Sequence, residues 1–230
     1  MPSRLIRVLA RILFCIAVPI AILTTFIIAM IYDADYYLRG ELRQQVHLTS
    51  GLTQSELVEV NRGLVDFFSG REALSSTLER AGASPTVFNQ KETIHLEDVR
   101  ELIFGITTVR LIAGAYSVLF LVGAAMTARA RALARVGRWL LVGCLATFVL
   151  VAIAGVFSVL DFNTLFLQFH LLSFRNDYWL LDPRTDMLIR MFPFGFWFEA
   201  ALTLVMQTAL TGLILGVVGG GLALLGRRHK

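Results

Sequence analysis

Long apolar runs alternate with polar, acidic stretches along this chain, and the lengths of the runs set the first expectation. Residues 12–32 carry no charge, residues 139–160 carry none, and residues 200–226 form a third such run. Leu111–Thr127 becomes a fourth when residues 106–109, on the far side of Arg110, are added. A helix crossing about 30 Å of hydrocarbon needs about 20 predominantly apolar residues, and a helix is the one local structure that satisfies its own backbone polar groups there. The pattern therefore predicts an all-α membrane protein with four transmembrane helices, at 12–32, 106–128, 139–160 and 199–226. The first run exceeds the roughly 7 to 15 apolar residues of a signal peptide, so it reads as a retained anchor with Pro19 as a tolerated kink.

The stretch 33–105 between the first two spans is polar enough to form a small water-facing cap. Within it Thr53-Gln54-Ser55-Glu56 has the spacing of a capping box, which predicts a helix start. Leu57, Val60, Leu64, Phe67 and Phe68 then recur at helical spacing, and Gly70 supplies the stop. Ala81–Pro85 reads as a turn and Thr86–Ile94 as an extended piece. Glu97 and Asp98, adjacent acids after a turn, mark the first turn of a short interfacial helix that bends at Gly105 into the second span. That places His95 at a helix N-terminus, where the macrodipole disfavours imidazolium, with Asp98 near enough to orient the ring or to oppose that bias.

The second polar stretch, 161–198, is dense in aromatic residues, which favour the boundary between lipid and water. Phe162, Phe166, His170 and Phe174 follow one another at i, i+4, so a helix here carries His170 inside an aromatic ridge. Asp182-Pro183 reads as an N-cap with proline at the first helical position, opening a turn or two that Pro193 closes. The segment is expected to fold back as an aromatic re-entrant shelf.

Charge then orients the spans. Arg4, Arg7 and Arg11 precede the first; Arg129, Arg131, Arg135 and Arg138 fall in a basic loop at 129–138; Arg227, Arg228 and Lys230 form a tail at 227–230. All 17 acids lie in 33–101 and 161–199. The excess of basic residues in loops on the cytoplasmic side predicts that both termini, 1–11 and 227–230, are cytoplasmic and that the cap and shelf face outward. The 56% hydrophobic content, mean hydropathy of +0.68 and net charge of +4 fit this layout, leaving the basic balance no need of nucleic acid. Serine-hydrolase elbow, zincin, nucleotide-binding and paired CxxC motifs are missing from the sequence, so no nucleotide or metal is expected. Cys15 and Cys144 fall inside predicted spans and read as packing residues. Gly212, Gly216 and Gly220 read as a helix-packing ridge.

The run FLQFHLLSFRNDYWLLDPRTDMLIRMFPFGFW at Phe166–Trp197, with HLEDV at His95–Val99 and the four-span layout, resembles the bacterial lipoprotein intramolecular transacylases. The resemblance implies a four-helix enzyme of the bacterial cell membrane with catalytic histidines at the junction of cap and membrane. Carried onto this chain, that pair is His95 and His170. The implied reaction moves the sn-2 acyl group of a diacylated lipoprotein to the α-amine of its N-terminal cysteine, leaving the lyso form, without a cofactor. Phe166, Phe174, Tyr178 and Trp179 become candidates for the pocket, and Asp98, Arg175, Asn176, Asp177 and Asp182 for supporting hydrogen bonds. Phe194-Gly195 departs from the family pattern, in which an acid follows the proline.

Two other readings compete. A non-enzymatic four-span scaffold, binding partner membrane proteins through its cap, would leave His95 and His170 far apart. A haem or metal protein would set them within spans, facing each other. His47 reads as a surface residue of the cap and His229 as part of the basic tail.

Overall fold

In the computed structural model, residues 4–128 and 131–228 are described; Arg129, His229 and Lys230, assigned above to the basic loop and tail, lie outside them. Among the described residues ten α-helices follow in order: α1 (Arg4–Ile31), α2 (Ala34–Arg43), α3 (Val46–Thr49), α4 (Gln54–Ser69), α5 (Leu74–Ala81), α6 (Gln90–Ala128), α7 (Ala132–Leu160), α8 (Phe162–Ser173), α9 (Met187–Met191) and α10 (Phe194–Arg228). No strand occurs among the described residues. Helices α1, α6, α7 and α10 are long and apolar enough to cross a membrane. The protein is an all-α, multi-pass membrane protein.

The helices exceed the apolar runs that announced them. α7 begins at Ala132, so Arg135 and Arg138 sit on its first turns rather than in a loop. α10 begins at Phe194, so Pro193 precedes this helix as well as following α9, and Phe194–Phe198 belong to α10 rather than to a separate shelf.

The chain divides into two compact units. One comprises residues 4–26, 106–157 and 203–228. Here Phe14, fully buried, stacks on Phe120 with centroids 4.4 Å apart and meets the edge of Trp139 at 5.7 Å. The Tyr116 hydroxyl donates to the Ala10 carbonyl at 2.8 Å. Lipid drives no hydrophobic association between helices, so small residues that allow close approach hold such a bundle together. A Cβ on Gly216 would lie 2.8 Å from Cys144 Sγ, and one on Gly212 would lie 3.2 Å from Thr147 Cγ2. Gly220 meets nothing within 4 Å, so the glycine ridge has two of its three members. Outward-facing Leu119 and Val217, each 69% exposed, have the character of a lipid-contacting surface.

The other unit comprises residues 27–105 and 158–202. Its α4 starts on the capping box: Glu56 N–H donates to Thr53 Oγ1, and the Thr53 amide donates to Glu56 Oε2 at 2.7 Å. Leu57, Val60, Leu64, Phe67 and Phe68 form its buried face, and Gly70 caps its end. Against α4 lies α5, with Leu78 fully buried; a Cβ on Gly63 would come within 2.9 Å of the Leu78 Cα, so glycine sets their close approach. Between α2 and α4 the buried Glu41 accepts from Asn61 Nδ2 at 2.6 Å.

Two expectations for this unit are overturned. Residues 86–94 are not extended: a turn runs to Phe88, and α6 starts at Gln90. Asn89 and Glu92 make a reciprocal cap, with Glu92 N–H donating to Asn89 Oδ1 at 3.0 Å and Asn89 N–H to Glu92 Oε2 at 2.8 Å. This cap outweighs the β preference of Thr86, Val87 and Phe88. Nor is there a separate short helix before the second span. α6 runs unbroken for 39 residues, and Gly105 lies inside it.

Glu41 yields a stability prediction. Burial raises its carboxyl from the ordinary range to about 7. Between its unfolded value and about 7 the folded state holds a proton that the unfolded chain releases, so its contribution is present at low pH and fades as pH rises through this window. Glu41→Gln should therefore raise the melting temperature in detergent at pH 8 and change it little at pH 4.5. Equal shifts at both values contradict this account.

Candidate active site

All the residues that meet here belong to the unit of residues 27–105 and 158–202. α6 contributes His95 and, three residues on, Asp98. α8 contributes Phe166 and His170; its start is held by Asp161, which accepts from the Thr164 amide at 3.0 Å and the Thr164 hydroxyl at 2.6 Å. The chain leaving α8 at Phe174 then carries Asn176, Tyr178 and Trp179.

His95 and His170, far apart in sequence, lie with ring centroids 6.2 Å apart. Both are buried, at 6% and 7% exposure. Aromatic rings enclose them: Phe166 at 4.3 Å, Trp179 at 5.0 Å and Phe169 at 5.2 Å from His170, and Phe174 at 5.0 Å from His95 and 5.6 Å from His170. Of the i, i+4 ridge, Phe166 and Phe174 thus flank the histidine pair, whereas Phe162 packs on Phe194 and Phe198.

Both imidazoles favour the neutral form. Burial, with the charge of His170 second, pushes His95 down to about 4, and Asp98 opposes. The neutral bias read from a helix N-terminus is present, but its cause is different, since α6 begins a turn earlier and burial does the work. Burial also lowers His170, with the hydrogen bond to Phe166 opposing. His170 Nδ1 lies 2.8 Å from the Phe166 carbonyl oxygen. A carbonyl only accepts, so Nδ1 carries the hydrogen and Nε2 of the neutral ring keeps its lone pair. His95 Nδ1 is buried with no protein hydrogen-bond partner.

Asn176 ties the two sources of the pocket together, donating to Asp98 Oδ2 at 2.8 Å while its own carbonyl oxygen accepts from the Tyr178 amide at 3.1 Å. The remaining candidates stand apart from the ring cluster. Arg175 and Asp177 are exposed, Tyr178 is 41% exposed, and Asp182 accepts from Arg184, whose guanidinium lies 2.6 Å away. Asp182 opens a turn, and α9 starts only after Asp186. His47 is half-buried on α3, with Nδ1 lacking a partner. Among the described residues no group of three or more His, Cys, Asp or Glu side chains is disposed to hold a metal ion.

Sequence reasoning missed a buried carboxylate network beside the pocket. Glu92 is 1% exposed and accepts from the Leu188 amide at 2.5 Å; Asn89 Nδ2 donates to Asp186 Oδ1 at 2.9 Å. The Asn-x-x-Glu spacing of residues 89–92 was the signal available.

The profile of the family described as "Lipoprotein intramolecular transacylase Lit" matches residues 12–197. The chain belongs to the Lit family. It is therefore an acyltransferase, and its reaction is intramolecular transacylation of a lipoprotein. Its fold is that of Lit from Bacillus cereus, a membrane-integral transacylase solved in meso: the two align with a TM-score of 0.83 over 98% of this chain and 100% of the other, at 20% identity. Two Bacillus cereus Lit variants, with one histidine changed to arginine or to alanine, align at TM-scores of 0.79 and 0.78, each at 20% identity over 96% of this chain and 94% of the other. No curated protein matches the chain. The scaffold reading required histidines far apart, and the paired rings do not favour it.

The pair makes stability depend on pH. Below the ordinary histidine range near 6.5 the unfolded chain takes up a proton that buried His95 refuses until about pH 4. Stability should fall as pH drops through that window, by at most about 1.4 kcal/mol per pH unit for one proton. His95→Phe should flatten the slope of melting temperature against pH between 6.5 and 4; an unchanged slope contradicts the assignment.

Proposed function

We propose that His95 and His170 are the catalytic pair for transfer of the sn-2 acyl group of a diacylglyceryl cysteine to the α-amine of the same residue. One observation carries this reading: two neutral, buried imidazoles within one aromatic enclosure, one of them with its Nε2 lone pair directed by a hydrogen bond on Nδ1.

The amine nitrogen attacks the ester carbon. A C–N bond forms, the bond from acyl carbon to glycerol oxygen breaks, and a proton leaves the nitrogen and ends on that oxygen. The reacting atoms close a medium-sized ring through nitrogen, Cα, Cβ, sulfur, two glycerol carbons, ester oxygen and acyl carbon. Closing it is entropically awkward in solution, and a rigid site that holds the near-attack geometry can supply as much as roughly 7 to 11 kcal/mol.

An α-amine has a reference pKa of about 8, so it must lose protons before or during attack. His170 Nε2 accepts the proton. His95, which burial keeps neutral, uses its ring N–H as a hydrogen-bond donor to the ester carbonyl oxygen as charge develops, and the imidazolium formed at His170 gives its proton to the departing glycerol oxygen, so both rings end neutral. Phe166, Phe174 and Trp179 exclude water, which protects the ester from hydrolysis. Asp98 and Asn176 hold the Trp179 segment against α6.

The working setting is the bacterial plasma membrane, with both chain ends cytoplasmic and the pocket opening on the outer side, where the diacylated substrate is anchored. The distribution of basic and acidic residues along the chain supports that orientation.

His95→Ala and His170→Ala should each leave the melting temperature within a few degrees of wild type. Each should lower turnover by roughly 10²- to 10⁴-fold, the range for loss of a general acid or base. Mass spectrometry of an N-terminal lipopeptide, following the move of one acyl chain from ester to amide, reads this directly. A variant that keeps full turnover removes its histidine from the mechanism.

A further inference from the structure

The first turn of α6 holds more of the 180–188 segment than a helix start requires. Glu92, one turn before His95, is buried and uses both carboxylate oxygens. Oε2 accepts the amide of Asn89, the residue before α6, at 2.8 Å, and Oε1 accepts the Leu188 amide at the start of α9 at 2.5 Å. Lys91, the residue before, donates to the Leu180 carbonyl and lies 3.6 Å from Asp186 Oδ2. The same Asp186 oxygen accepts the Asp182 amide at 2.8 Å.

The consequence concerns Trp179. Its ring, next to Leu180 in the chain, packs on His170 at 5.0 Å, while His95 rides on α6. One imidazole is thus carried by the helix that Glu92 caps, and the other is backed by a loop that Glu92 and its neighbours hold. We propose that Glu92 is a positioning residue for the histidine pair, a single buried carboxylate that caps α6 and α9 together and so sets the separation of the His95 and His170 rings. This rests on the reading that the two histidines perform the reaction.

Glu92→Gln tests it, because the change keeps the shape and turns one acceptor oxygen into a donor facing amide N–H groups. Measured on the full-length enzyme in detergent with a synthetic diacylated lipopeptide, kcat should fall at least tenfold with KM within about threefold of wild type. Modification of His95 and His170 by diethyl pyrocarbonate, followed residue by residue, should accelerate. Val60→Ala, a cavity in the α4 core remote from these hydrogen bonds, serves as the control: it should lower the melting temperature while leaving kcat and histidine labelling unchanged. Asn89→Ala removes the link to Asp186 with Glu92 in place, and should move kcat and labelling in the same direction by about threefold even if Glu92→Gln fails to fold. Wild-type kcat in Glu92→Gln overturns the proposal, and so does an equal loss in Val60→Ala. His95→Ala and His170→Ala run alongside separate the two levels: if they are inactive and Glu92→Gln is unaffected, only the Glu92 role fails. If they retain full activity, both fail.

Discussion

Everything at this site depends on keeping two imidazoles out of water next to each other. Each ring prefers a hydrated, protonatable setting near neutral pH, and burial in an aromatic enclosure removes that option. The result is a pair of neutral groups, each able to donate one hydrogen bond and accept another, within one aromatic enclosure. Reaction within one substrate molecule needs little else: no second reactant has to be gathered, so the protein's task reduces to geometry and proton handling.

The architecture answers that requirement with rigid elements. α6 is continuous for 39 residues, so His95 is fixed on a helix rather than on a loop. His170 is fixed on α8, whose own backbone selects its tautomer through the Phe166 carbonyl. The irregular chain between α8 and α9 is the part most in need of restraint, and polar bonds tie it to α6 and its cap: the part-buried Asn176 on Asp98 and Asn89 on Asp186, and the buried Glu92 on Leu188. Buried polar groups that are fully paired specify a single arrangement, whereas the same groups unpaired would be destabilising. In the other unit the helices meet through Phe14 on Phe120, the Tyr116 hydroxyl on the Ala10 carbonyl, and close approaches at Gly212 and Gly216.

Much of this was legible in the sequence because lipid is a demanding solvent. Apolar runs of span length could mean little but membrane helices, and the Thr53–Glu56 box and the Phe162–Phe174 ridge were local patterns with one structural meaning. His95 and His170 were nominated as a pair by family resemblance; nothing in their local sequence says that they meet. What escaped was the start of α6. Thr86, Val87 and Phe88 read as strand, and adjacent acids at Glu97 and Asp98 drew the helix start away from the Asn89–Glu92 cap. Glu92 itself was invisible for a physical reason: its partners, Leu188 and Asp186 through Asn89, are almost a hundred residues away, and only folding reveals that a carboxylate in a polar stretch is buried.

The central claim is that the two histidines act as one unit, and a double-mutant cycle on turnover tests it most directly. Residues that share one catalytic step are non-additive, so either single loss removes nearly all that both contribute. Comparing His95→Ala, His170→Ala and the double variant on the same lipopeptide, this account predicts that the double variant is no slower than the slower single variant. Multiplicative losses, with the double variant slower by the product of the two single effects, would contradict it.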